Sequence, residues 1–223
     1  MKRTSKRTNG SRRSSPVRGA RKAPPSAGRA PNSARGDGAA SALGAFAEVV
    51  RPLQARWYLF GAVAVAIHGV PRTTADIDVT VDLGERSASE LLAALSAAGF
   101  QLRPEAPEDL AAARVIPVLH VSSGWRMDVV LAGPGIEELF AERAELRMIG
   151  RRKVPVISPD DLIATKVLAA RPKDLEDIRG LLRIATIDRP RLHATIATLE
   201  AILDQSDLRP LLDQLEREAK QRR

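Results

Sequence analysis

The spacing of hydrophobic residues predicts a helix, a strand and a second, short helix early in the chain. Large apolar side chains recur every three or four positions, as one face of a helix requires, at Leu43, Phe46, Val49, Val50 and Leu53. This spacing predicts a helix over 40–53. The continuous apolar run at 57–60 predicts a buried strand, which Gly61 ends. The Ala- and Val-rich residues 62–67 predict the short helix.

A strictly alternating stretch, Asp76–Asp82, predicts the next strand. Its apolar side chains Ile77, Val79 and Val81 share one face, because successive side chains of a strand point to opposite sides. Its three carboxylates and one hydroxyl share the other face. We therefore expect one face of this strand to lie in the core and the other to carry chemistry or to face solvent.

The rest of the chain predicts one hairpin and mainly helices. Strands at 113–121 and Trp125–Leu131 flank a Ser-Ser-Gly turn. Helical spacing and capping residues predict helices over 87–98, 134–143, 158–170, 173–184, Arg189–Leu203 and 208–222. We expect an α/β (α+β) fold in which a core over 41–156 contains a mixed sheet flanked by helices. A helical C-terminal half, 157–223, is expected to pack on that core.

Composition excludes several classes of protein. Apolar residues make up 44% of the 223 residues, which is enough for a packed core. The chain contains no cysteine, which excludes disulfides, thiolate metal sites and cysteine nucleophiles and fits a cytoplasmic protein. The longest apolar run, 57–67, is too short to span a bilayer, so we expect no membrane association.

The net charge of +8 belongs to the N-terminal segment. Residues 1–40 hold 11 Lys and Arg and one acid, Asp37, whereas 41–223 hold 24 Lys and Arg and 26 acids. With Val17 as its only large aliphatic side chain, segment 1–40 is expected to be a disordered basic tail. Such a tail can bind RNA or DNA phosphates by counterion release. A solvated tail and an organelle transit peptide are the alternatives.

Two carboxylates on one strand face, those of Asp76 and Asp78, indicate a cation site. Side chains two residues apart on a strand point the same way, roughly 6–7 Å apart, so their charges repel unless a cation lies between them. Oxygen ligands alone favour Mg²⁺ or Mn²⁺. Asp128 joins them if its strand neighbours Asp76–Asp82, and the helix that follows Gly61 offers N–H groups to phosphate. The alternative is a solvent-exposed strand face.

These residues stand in a motif that resembles a known superfamily. Residues 60–62 are Phe-Gly-Ala, and residues 69–78 are Gly-Val-Pro-Arg-Thr-Thr-Ala-Asp-Ile-Asp. The motif resembles the polymerase-beta-like nucleotidyltransferase superfamily, closest to the AbiEii-type group, which includes toxins of type IV toxin–antitoxin systems. The resemblance implies metal ligands and a phosphate-binding loop, the ligands being Asp76, Asp78 and Asp128 and the loop residues Gly61, Ala62, Arg72 and Thr74. Ala62 stands where the family has Ser or Gly.

A second part of the resemblance lies downstream. Residues 158–166, Ser-Pro-Asp-Asp-Leu-Ile-Ala-Thr-Lys, look like the Lys-bearing helix of the family, and residues 171–178 look like its Lys-Asp-x-x-Asp segment. Lys166 shares a helix face with apolar residues, so it either points at the NTP triphosphate or extends to the surface. Asp174 and Asp177 anchor a basic residue, act near the nucleophile, or stabilise the helix start.

We therefore expect a Mg²⁺-dependent (or Mn²⁺-dependent) nucleotidyltransferase that moves an NMP from NTP to an acceptor hydroxyl and releases pyrophosphate. Asp76, Asp78, Asp128 and Lys166 would be its catalytic residues. The resemblance implies that the acceptor is a tRNA 3′ end or another nucleic acid, bound with help from the tail, and that an antitoxin-like protein is a partner. Two alternatives stay open: an adenylyltransferase acting on a protein or small molecule, and a non-catalytic module that binds a nucleotide or partner.

Overall fold

The computed structural model describes residues 32–109 and 113–221. The helices of this part of the chain are α1 (Asn32–Val50), α2 (Gly61–Ile67), α3 (Ala88–Ala97), α4 (Ile136–Arg143), α5 (Pro159–Ala169), α6 (Pro172–Ile184), α7 (Arg189–Leu203) and α8 (Leu208–Gln221). The strands are β1 (Arg56–Phe60), β2 (Asp76–Asp82), β3 (Phe100–Leu102), β4 (Val115–His120), β5 (Trp125–Leu131), β6 (Glu145–Ile149) and β7 (Arg152–Val156).

These seven strands form one mixed sheet in the order β3-β4-β5-β2-β1-β7-β6. β2 lies at the centre, antiparallel to β1 and parallel to β5. Between β2 and β5 the chain passes through α3 and the antiparallel pair β3 and β4. Because β1 and β2 are antiparallel, the last residue of β1 lies beside the start of β2, and Phe60 pairs with Asp78. The polar start of β2 therefore meets the turn from β1 into α2.

The alternation in β2 separates the core from the polar face, as the sequence predicts. Ile77, Val79 and Val81 are fully buried. Val81 pairs with Trp57 of β1, whose ring packs edge-on against Phe46 of α1 at a centroid distance of 5.2 Å. Helix α1 therefore covers the apolar face, and the carboxylates of β2 lie on the opposite face.

The rear helices are anchored directly to the sheet. Ser158 caps α5 by accepting a hydrogen bond from the Asp161 N–H, as predicted, and Leu162 is fully buried. The Ile157 N–H donates to the Leu59 carbonyl at 2.9 Å, so the strand region continues into α5 without a linker. The division into a core over 41–156 and a helical region over 157–223 stays a prediction.

Several elements differ from the sequence prediction. Helix α1 begins at Asn32 rather than at residue 40, because residues 32–39 contain no large apolar side chain and give no hydrophobic pattern. Strands β3, β6 and β7 were not predicted. Residues 1–31, most of the predicted basic tail, lie outside the described residues. Among the helices that the structure describes, none has the length and apolar character needed to cross a membrane.

Candidate active site

Gly61 permits a close approach between the start of α2 and the carboxylate of Asp78. Gly61 has a φ of +67°, and a Cβ at this position would lie 2.0 Å from Asp78 Oδ2. The Ala62 N–H donates a hydrogen bond to Asp78. The turn from β1 into α2 thus holds one carboxylate in place, and in this conformation the Ala62 N–H is engaged by Asp78.

Three carboxylates come together on the central strands. Asp78 pairs in register with Asp128 of the parallel strand β5, and Asp76 lies two residues earlier on the same face. Burial, followed by the negative charges of Asp128 and Asp76, raises the pKa of Asp78 to about 6, against the hydrogen bond from Ala62. The geometry therefore concentrates negative charge at a partly buried point.

Two arginines that the sequence prediction missed lie against these carboxylates. Arg126 Nε is 3.1 Å from Asp76 Oδ1. Arg103 contacts Asp128, and its Nη1 is 3.8 Å from Asp76 Oδ1. Glu105 joins both arginines, at 3.2 Å from Arg103 Nε and 2.7 Å from Arg126 Nη2. Arg126 stands two residues before Asp128 on the same strand, so strand periodicity could have found it; the three-residue strand before Arg103 leaves no such signal.

Lys166 is buried among carboxylates rather than extended to the surface. Its Nζ donates to Asp174 Oδ1 at 2.9 Å and to Asp177 Oδ2 at 2.7 Å. Arg72 Nε lies 3.0 Å from the other oxygen of Asp177. The positive charge of Lys166 acts against the raised pKa of Asp78, so the two clusters lie near each other. Both aspartates therefore anchor Lys166, one of the alternatives that the sequence left open.

Thr74 shapes the start of β2. Its Oγ1 donates to the Asp76 carbonyl at 3.1 Å and accepts from the Asp76 N–H at 3.2 Å. This local ring of hydrogen bonds fixes the backbone that presents Asp76. Asp82, at the far end of the strand, pairs instead with Arg56 at 2.6 Å and accepts from the Gly84 N–H at 2.9 Å. It takes no part in the carboxylate cluster.

His68 lies outside this cluster. It follows the C-terminus of α2, and its Nε2 donates to the Ile157 carbonyl at 2.8 Å, since a carbonyl oxygen only accepts. Burial lowers its pKa, so the ring is neutral near pH 7. It lines a cavity of about 430 Å³ together with Arg147, Asp188 and Arg191. None of the three carboxylates lines that cavity, so we assign His68 a structural role.

The carboxylate cluster fits a divalent cation. Its donors are all oxygens, and Asp76 Oδ1 is buried with the Arg126 ion pair at 3.1 Å but no hydrogen bond to any described residue. The guanidinium of Arg103 already occupies a cationic position between Asp76 and Asp128. A second group, His193, Asp213 and Glu216, has ligand atoms within 4.8 Å of one another on α7 and α8. There Glu216 already pairs with Arg189.

A family model described as "Nucleotidyl transferase AbiEii toxin, Type IV TA system" matches residues 45–223. No curated protein matches the chain in sequence. The solution structure of the antibiotic-resistance factor ANT(2'')-Ia is similar with a TM-score of 0.53 and 17% identity, covering 75% of this chain and 95% of that one. A crystal structure of an antigenic nucleotidyltransferase-like protein from Paracoccidioides brasiliensis is similar with a TM-score of 0.52 and 17% identity, covering 79% of this chain and 93% of that one.

A crystal structure of ANT(2'')-Ia in complex with adenylyl-2''-tobramycin is also similar, with a TM-score of 0.51, 17% identity and coverage of 73% of this chain and 97% of that one. These likenesses extend over nearly the whole of the neighbouring chains, and they agree in fold with the family match. The chain therefore belongs to the AbiEii nucleotidyl transferase family, and it is a nucleotidyltransferase with the polymerase-beta-like fold.

Proposed function

We propose that this nucleotidyltransferase uses Mg²⁺ or Mn²⁺, held by Asp76, Asp78 and Asp128, to transfer an NMP from NTP to an acceptor hydroxyl. The observation that supports this most directly is the register of Asp78 and Asp128 on adjacent parallel strands. With Asp76 on the same face, three carboxylates converge at one point. When bound, the cation would neutralise charge on the phosphates of the NTP.

In the proposed reaction the acceptor oxygen bonds to the α-phosphorus, the bond from that phosphorus to the bridging oxygen breaks, and pyrophosphate leaves. The acceptor hydroxyl releases its proton to solvent. The residues of this chain contribute mainly by positioning. Gly61 and Thr74 fix the two backbone segments that present Asp78 and Asp76.

We assign Lys166 and Arg72 to the triphosphate. Lys166 faces Asp78 and is held by two carboxylates, Asp174 and Asp177, which fix its orientation. Arg72 shares Asp177 with it, so the two cations form one unit beside the carboxylate cluster. A preorganised pair of cations stabilises the charge of a leaving pyrophosphate without reorganisation during the reaction. The Gly61–Ala62 backbone is the third phosphate contact that we propose, although in this conformation its Ala62 N–H donates to Asp78.

For the acceptor we propose a tRNA 3′ end, which would make this a toxin-like enzyme with an antitoxin-like protein partner in the cytoplasm. The toxin description of the family supports this proposal. The ten Lys and Arg residues and no acid within 1–31 also support it, because such a segment attracts nucleic-acid phosphates.

A small-molecule acceptor is the second candidate. One structural neighbour is an antibiotic-resistance factor seen with an adenylylated aminoglycoside, adenylyl-2''-tobramycin. The excess of two acids in 41–223 suits a cationic acceptor. The alternative of a non-catalytic module is set aside, because the family is one of nucleotidyl transferases.

The test is transfer of labelled NMP from each of the four NTPs to bulk tRNA or to an aminoglycoside panel, with Mg²⁺ or Mn²⁺. We expect the wild type to label tRNA and Asp76→Ala to be inactive. Asp82→Asn is the matched control, because it changes a carboxylate of the same strand face that lies outside the cluster. Equal transfer by Asp76→Ala and the wild type would refute the assignment, and labelling of aminoglycosides alone would favour the second candidate.

A further inference from the structure

We propose that Arg103 is an internal counter-cation of the carboxylate cluster, which it neutralises in the cation-free protein and must leave before a divalent cation binds. This inference rests on the proposed cation site. It makes Arg103 a positioning residue that couples binding of the cation to binding of the nucleotide.

The sheet places Arg103 in line with the carboxylates. The Arg103 N–H donates to the Pro117 carbonyl at 3.0 Å. Pro117 pairs in register with Asp128, which pairs with Asp78. One row across the sheet therefore runs from Arg103 over Pro117 to the two aspartates. Proline at the intervening position has no long side chain, so the guanidinium of Arg103 reaches Asp128.

The guanidinium is held by charge more than by hydrogen bonds. The side chain of Arg103 is 9% exposed. Its Nη2 donates a hydrogen bond to Asp128, but its Nε and Nη1 make no hydrogen bond to any described residue although carboxylates lie within 4 Å. Buried N–H groups without partners are costly. Lys166, in contrast, is satisfied by two short hydrogen bonds. Arg103 is therefore the exchangeable cation of the site, and Lys166 is the fixed one.

A partner for the displaced arginine is already in place. Glu105 Oε1 lies 3.2 Å from Arg103 Nε, and the side chain of Glu105 is 49% exposed. A small movement of the guanidinium toward Glu105 leaves Asp76 and Asp128 open without losing all carboxylate contact. Pro104 between the two residues has its φ fixed by the proline ring.

This arrangement implies that the protein without nucleotide binds divalent cations weakly. A positive charge beside two of the three carboxylates opposes a second positive charge at the same place. A bound triphosphate reduces this repulsion, because its negative charge attracts both the entering cation and the released guanidinium of Arg103. Cation and NTP are therefore expected to bind together rather than in sequence.

The test is titration of the full chain with Mn²⁺ in the absence of nucleotide, followed by electron paramagnetic resonance of free Mn²⁺. We expect Arg103→Gln to bind Mn²⁺ at least about tenfold more tightly than the wild type, since a like charge that contacts two of the proposed ligands is removed. Arg126→Gln is the matched control, because Arg126 also contacts Asp76 but its side chain is 51% exposed. Its effect should stay within about threefold because solvent screens exposed charges.

Arg103→Lys is the second variant, because it keeps the charge and should keep Mn²⁺ binding as weak as in the wild type. Unchanged or weaker binding by Arg103→Gln, or no Mn²⁺ binding by any variant, would overturn the proposal. An equal increase in Mn²⁺ affinity in Arg126→Gln would also overturn it, since the increase would then come from the lower net charge of the protein rather than from the position of Arg103. If Arg103→Gln binds Mn²⁺ more tightly but the wild type transfers no nucleotide, the counter-cation proposal stands and the proposed reaction is rejected.

Discussion

Gly61 and Asp78 approach so closely that a Cβ at position 61 would lie 2.0 Å from a carboxylate oxygen. That distance is shorter than any non-bonded contact between carbon and oxygen, and the φ of +67° at Gly61 also disfavours side chains. The two residues therefore constrain each other: the glycine is needed because the carboxylate faces the start of α2.

Gly61→Ala is expected to abolish nucleotidyl transfer and to lower the free energy of unfolding by about 3 kcal/mol, because Asp78 must move as well as the backbone. Chemical denaturation and the labelled-NTP assay measure the two effects. Gly84→Ala is the matched control, since Gly84 has a φ of +55° with nothing within 4 Å of the added Cβ. Gly84→Ala should lower the free energy of unfolding by only about 1 kcal/mol and leave nucleotidyl transfer intact. Equal losses in the two variants would contradict the clash.

The buried carboxyl of Asp78 makes stability depend on pH. Its pKa is about 6 in the folded protein against a usual 3.8, so the folded state holds the proton more tightly than the unfolded chain. The favourable contribution is complete below about pH 4 and is lost as pH rises through about 6.

Asp78→Asn removes this dependence. Without divalent cations, the stability of the variant relative to the wild type should rise by about 2–3 kcal/mol between pH 4 and pH 7.5. Denaturation at a series of pH values measures the difference. A difference that does not change with pH would contradict the raised pKa of Asp78.

Removing Lys166 should be severely destabilising, because it leaves Asp174 and Asp177 buried without their shared hydrogen-bond donor. We expect Lys166→Met to cost about 3–5 kcal/mol. The double variant Lys166→Met, Asp177→Asn should recover much of that stability, since it also removes a buried charge, and should stay inactive. Recovery of transfer in the double variant would show that Lys166 is needed only for folding.

Truncation of residues 1–31 tests the basic segment without entering α1. This change removes ten Lys and Arg residues and no acid. If the segment binds RNA, the slope of log affinity against log salt for tRNA should fall in magnitude by about 3 or more. Filter binding across a salt series measures the slope. A version in which Gln replaces these ten residues is the control for length, and an unchanged slope would exclude the segment from RNA binding.

The sequence predicts the centre of the molecule better than its edges. The strict alternation of Asp76–Asp82 and the capping residues of α5 are local signals, and the structure confirms both elements. The β6 and β7 hairpin escapes prediction because its apolar residues Leu146 and Met148 face solvent on an edge strand, so polarity does not follow burial. Pattern reasoning assumes that apolar side chains lie inside, and this edge breaks the assumption.

In the candidate site, too, some residues can be predicted from the sequence and others cannot. Asp76 and Asp78 are visible in the sequence because one strand presents both. Arg103 is not, because its position depends on the pairing of β3 with β4 and β4 with β5. Such non-local pairings leave no periodic trace near the residue itself. Glu105 stays hidden for the same reason, since its importance comes from the arginines beside it.

The cluster of Lys166, Asp174, Asp177 and Arg72 has a consequence for synthesis of the protein. Arg72 precedes β2, whereas Lys166 and its two aspartates come from α5 and α6, about a hundred residues later. A chain emerging from the ribosome therefore presents Asp76, Asp78 and Asp128 before Lys166 and its two aspartates have been synthesised. Since domains fold as units during translation, this cluster is expected to close only after α5 and α6 have been synthesised.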